Sequence, residues 1–130
     1  ATAKGSALAA NDIIQAITVG TNTMVMAAGM EITTAPAGGN SCTIDLGITG
    51  GDVDAFVDGM TVTGASAGAY GTLANTACPI IVTTSDTIDM LVLGTTPDTS
   101  GTIRVFAMLM DVDSIGSDKG ADEVDRDYLA

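Results

Sequence analysis

The run from Thr102 to Val112, TIRVFAMLMDV, constrains the fold more than any other stretch of this chain. Side chains of a strand alternate between its two faces. Here Ile103, Val105, Ala107 and Leu109 would share one face, and Phe106, Met108, Met110 and Val112 the other. A strand with no wet face is central in a sheet or is covered by a second copy of the protein. Just before it, Thr87 to Leu93 alternates too, with Ile88, Met90 and Val92 on one side and Thr87, Asp89, Leu91 and Leu93 on the other. The intervening Gly94 to Gly101 is rich in turn residues. The spacing predicts a β-hairpin within the stretch Asp86 to Asp113, with Asp89 opposite Arg104 as a cross-strand ion pair.

The rest of the 130 residues follows the same logic. Residues 1–10 are small and polar and are expected to form an arm whose order depends on a partner. Ile13 and Ile17 are expected on one face of a first strand that spans Asn11 to Val19, with Ile14 and Ala16 on the other. Thr23 to Ala28 and Met30 to Thr34 read as two short strands around Gly29, and Ala35 to Asn40 as a loop. Ser41 to Ile48 alternates cleanly, with Cys42, Ile44, Leu46 and Ile48 on the buried side. In Asp52 to Gly59, Val53, Phe56 and Val57 fit one face of a helical turn capped by Asp52. Met60 to Thr63 and Pro79 to Thr83 are further strands, joined by a Gly/Ala-rich connection over Gly64 to Asn75 with Tyr70 as its anchor. Residues 114–130 are acidic, with Val124, Tyr128 and Leu129 at helical spacing, and are expected to be a solvated tail that becomes a short helix against a partner. Many short strands without a sustained helix make residues 11–113 one all-β domain, a β-sandwich or barrel.

Charge and composition exclude several functions. Sixteen acidic and four basic residues give a net charge of −12, which repels phosphate backbones and anionic membrane surfaces. Nucleic-acid and membrane binding are therefore not expected; solubility, or attachment to a basic partner, is. Trp is absent and aromatic residues make up 3% of the chain, which disfavours stacking on sugars or bases. The longest apolar run, Val105 to Met110, is far too short for a spanning helix. No signal peptide is apparent, and Ala1 is expected to mark a cytosolic product that has lost its initiator Met. Cys42 and Cys78 are expected to be free thiols in preference to a disulfide.

No constellation carries chemistry. Without His there is no imidazole base, metal ligand or Ser-His-Asp relay, so no enzymatic activity, catalytic residue or cofactor is expected. Asp52, Asp54 and Asp58 begin like a calcium loop, but Phe56, Val57 and Thr63 occupy the fifth, sixth and twelfth positions, where an EF-hand needs an oxygen ligand, Gly and Glu. Capping and solvation account for these acids better than metal binding does. Met24, Met26 and Met30 lie close together, yet without His or a Cys pair they read as core and interface packing. Gly47 to Gly51 lacks the Gly-Lys-Ser/Thr of a phosphate loop.

Two stretches carry a resemblance: TIDLGITGGDVDAFVDGMTVTGASAGAYG and PIIVTTSDTIDMLVLGTTPDTSGTIRVFAMLMDV. Their order of strand, Gly-rich turn, Asp-x-Asp-Ala-Phe element, small-residue connection and final hairpin with a threonine- and Gly-bearing loop resembles a family of small virion proteins of tailed bacteriophages, over about residues 41–112. The resemblance implies a head decoration, or cement, protein of jelly-roll β-sandwich type that binds the outside of the assembled capsid and stabilises contacts between major capsid protein subunits. It also implies a homo-oligomer, a trimer before a dimer, located on the virion and in the host cytoplasm during assembly. The interface between copies is expected on Ile103 to Val112. The competing reading is a carbohydrate- or receptor-binding module of a tail fibre or cell surface, which would normally present aromatic platforms; this chain has only Phe56, Tyr70, Phe106 and Tyr128.

Overall fold

A computed structural model describes residues 8–39, 41–71, 78–96 and 100–112. The tail at 114–130 and most of the arm at 1–10 lie outside the described residues, as does part of the Gly/Ala-rich connection. Seven strands form: β1 (Ile13–Val19), β2 (Thr23–Ala37), β3 (Ser41–Ile48), β4 (Val57–Thr61), β5 (Ile80–Val82), β6 (Asp86–Thr96) and β7 (Ser100–Asp111). They make two antiparallel sheets, ordered β1-β6-β3-β4 and β5-β2-β7. The sheets pack face to face, so the molecule is the all-β sandwich that the strand pattern predicts. Among the described residues the strands are divided four and three between the two sheets.

Alternation places the core. Ile44 and Leu46 of β3 and Ile88 and Val92 of β6 point inward from the larger sheet, and Val25, Met30 and Ile32 of β2 meet them from the smaller one, all fully buried. Each such apolar side chain contributes about 1.5–3 kcal/mol by leaving water. Phe56 and Val57 close the core beside β4.

Several sequence expectations change. β6 and β7 do not form a hairpin: β6 lies between β1 and β3, whereas β7 pairs with β2 in the other sheet. Accordingly Arg104 does not meet Asp89; its Nη1 lies 3.4 Å from Glu31 Oε2, directly across β2–β7. The two short strands around Gly29 are one strand, with Gly29 opposite Phe106. A bulge in β1 at Ala16 turns Ile14 and Ile17 to the same side, opposite Met90 and Ile88, and leaves Ile13 half exposed. Residues 52–56 form turns without helix, because the Phe56 amide bonds to the Leu46 carbonyl at 2.9 Å and leads the chain into β4. Finally, β7 is an edge strand, and none of its residues is buried.

Candidate functional site

β7 is unusual as an edge. Native edges are shortened, charged, bulged or interrupted by Pro so that they do not template further pairing. β5 has three residues and β4 five, and β1 carries its bulge. β7 has twelve residues, and the irregularities of its pairing at Val25/Ala27 and Ile32/Thr34 insert the extra residue in β2. From Thr102 to Asp111 it is therefore regular, with charge only at Arg104 and Asp111.

Its outward side chains extend an apolar face across the whole small sheet. Cross-strand partners share a face, so Ile81, Met24 and Met110 form one row across β5, β2 and β7, with Met108 opposite Ala27 and Phe106 opposite Gly29 in the next rows. Met108 is 65% exposed, Ile81 53%, Met110 52% and Phe106 44%; Met26 at the bulge is also exposed. With about 200 Å² for a complete large side chain, these five offer roughly 500 Å² of apolar surface, the size of the largest apolar patch on a typical monomer, which is often functional. Arg104 and Glu31 close the face at one end as a neutralised pair, and Tyr70 bridges to the other edge of Glu31. Thus Met26 is exposed, Met24 is half-buried on the outer face, and Met30 alone of the three is core.

The larger sheet has a different feature on its outward side. Gln15, Asp89 and Gly47 are partners across β1, β6 and β3, and Ile13, Leu91 and Asp45 form the next row. The chain returning from β3 passes over Gly47 so closely that a Cβ there would collide with the backbone of Asp52 and Val53. Asp45 and Asp89 are both buried. Asp45 Oδ1 accepts a 2.7 Å bond from the Gly59 amide, and Asp89 Oδ2 accepts a short bond from the Thr49 hydroxyl. Nothing in the sequence distinguishes these two acids from the exposed ones; only the long-range pairing does.

Asp52, Asp54 and Asp58 are not gathered into a chelating set. Among the described residues no three acidic or thiol side chains are grouped as metal ligands. Asp52 Oδ1 accepts from the Asp54 amide at 3.5 Å, a local turn. Asp54 has its pKa raised from the ordinary 3.8, first by a side-chain hydrogen bond with Asp52 and then by the charge of the same neighbour. Cys42 and Cys78 are free thiols; Cys42 is core, and burial pushes the Cys78 thiol up, which makes it a poor nucleophile at neutral pH.

Comparison with protein-family models, with curated proteins and with solved structures finds no match to this chain.

Proposed function

We propose that this chain is a bacteriophage head decoration protein, a structural part that binds the outer surface of the assembled capsid and stabilises contacts between major capsid protein subunits. The observation that carries the reading is the apolar outer face of β5-β2-β7 next to the open edge of β7. Together with the resemblance over residues 41–112, it fits a rigid sandwich that associates with copies of itself.

The occupant of that face is a second copy of the chain. Elsewhere the −12 charge sets acid against acid when two copies meet; among the described residues the charges on this face are the neutralised Arg104–Glu31 pair. Its roughly 500 Å² of large apolar side chains, with the flanking backbone, approaches the roughly 800 Å² per partner of a specific interface. A closed trimer sets two different patches of each copy against each other, and β7 supplies two, its apolar face and the edge that no other described strand pairs. Coat subunits bridged by such an oligomer separate only after its contacts break, which is how binding to the assembled state stabilises it.

The test is co-sedimentation with expanded heads that lack the protein. Fixed stoichiometry over the whole lattice is the expected result, and Met108→Lys should reduce both self-association and attachment. Attachment in a few copies only, or none, would overturn the reading. A carbohydrate-binding role has one observation of its own: Tyr70 is 63% exposed beside Glu31, which is paired with Arg104, and an aromatic platform flanked by polar groups suits a sugar. Retention on host glycans, lost in Tyr70→Ala, would favour it.

A further inference from the structure

Spacing along the chain groups Met24 and Met26 with Met30, but the fold replaces Met30, which is core, by two methionines from the far end of the domain. Met24 of β2 and Met110 of β7 are direct cross-strand partners. Met26 follows Met24 on the same outer face, since Val25 between them is buried, and the bulge adds Ala27 to that side before Ala28 turns inward. Met26 and Ala27 together therefore face the single Met108. Partners directly opposite have Cβ atoms about 4.5–5.5 Å apart, and diagonal neighbours at about 7–8 Å stay within reach of long side chains. Four thioethers thus stand within reach of one another around Ala27, a residue that offers only a methyl group.

What separates methionine from leucine of similar volume is a polarisable sulfur. The surroundings select among the ions it could hold. Calcium and magnesium take oxygen ligands, and on this face the carboxylate of Glu31 is paired with Arg104. Zinc takes thiolate, imidazole or carboxylate; the chain has no His, and Cys42 belongs to the core. Thioether sulfur is a soft ligand and suits copper(I). Being neutral, it leaves the charge of the ion uncompensated, and the net charge of −12 supplies a field that draws a cation to the surface.

We propose that Met24, Met26, Met108 and Met110 form a binding site for a soft monovalent metal ion, copper(I), held by thioether sulfur. This goes beyond the decoration reading and does not rest on it, because it uses the sulfur of this face where that reading uses its apolar area.

The test follows the methionine ε-methyl resonances of the full chain carrying Cys78→Ser, which removes the half-buried thiol, at a dilution where it sediments as single copies. Silver(I) nitrate in chloride-free buffer is the probe, a soft monovalent ion that air does not oxidise. Saturable shifts of Met24, Met26, Met108 and Met110 with one common midpoint are expected, while the buried Met30 and Met60 stay in place. Met24→Leu and Met110→Leu should each weaken binding by at least about tenfold, since loss of even an outer partner of a metal ligand costs that much. Met30→Leu should leave binding unchanged. The proposal is overturned if no surface methionine shifts saturably, if silver moves only the surroundings of Cys42, or if sodium nitrate gives the same shifts. It is equally overturned if the four methyls titrate independently, so that removing one leaves the others unaffected. Leucine keeps the apolar face, so the same variants should still attach to heads, and failure of silver binding is distinct from failure of attachment.

Discussion

Gly47 on β3 and Asp89 on β6 are cross-strand partners, and the missing side chain of the first lets the backbone of Asp52 and Val53 descend over it, closing the cavity that Asp89 lines. Gly47→Ala must push that backbone away, because the obstruction is main chain and cannot rotate aside. We expect a loss of about 2–3 kcal/mol, the cost of overpacking a closed site, read by urea denaturation, together with new exposure of Asp89.

Phe56, 1% exposed, fills the core beside β4. Phe56→Ala should cost about 3–5 kcal/mol through lost burial and the cavity left behind. Tyr70→Ala, at an exposed aromatic, should stay within about 0.5 kcal/mol in the same experiment.

The Arg104–Glu31 pair spans two strands but remains wet on the arginine side, where the side chain is 67% exposed. Arg104→Ala should therefore cost less than about 1 kcal/mol, and a double-mutant cycle with Glu31→Ala should give a coupling that shrinks as salt is added. A coupling that survives high salt would mean that the pair is shielded from solvent.

Asp54 sets a pH dependence whose sign follows from its raised pKa. The folded chain holds this proton more tightly than the unfolded one does, so the group's stabilisation is present below its ordinary pKa of 3.8 and is lost as pH rises through the raised folded value. Asp54→Asn should thus gain on wild type between about pH 3 and neutrality, by comparison of denaturation midpoints at the two ends. An equal difference at both ends would contradict the assignment.

Much of the fold is legible in the chain. Ser41 to Ile48 announces β3 by strict alternation, and the division of β6 into Ile88, Met90 and Val92 against Asp89 and Leu91 is the one observed. Pairing is less legible, because alternation marks a strand and its faces without naming its neighbour. β6 and β7 follow each other with a short turn-rich link, which locally is a hairpin signal; their partners lie in β1, β2 and β3, far back along the chain. Gly94 takes a φ of 117° where the Ser41 backbone passes against it, a demand set by a distant segment. The same holds for the buried acid of β6. Asp89 looks like any strand acid until Gly47 is known to stand opposite it. Arg104 finds Glu31 because β2 is its true neighbour. β7 was legible as a strand apolar on both faces, and its place at the sheet edge removes the central alternative, leaving the second copy as the cover proposed above.

The winding of the sandwich also has a consequence in time. β1 and β3 wait for β6, and β2 waits for β7, the last strand described. Neither sheet can close as the chain emerges from the ribosome, so the fifteen residues of β2 stay without their main partner until nearly all of the domain is made. Pairings between such distant segments put the chain among slow folders, and its abundant acidic charge keeps unfinished copies apart while they wait.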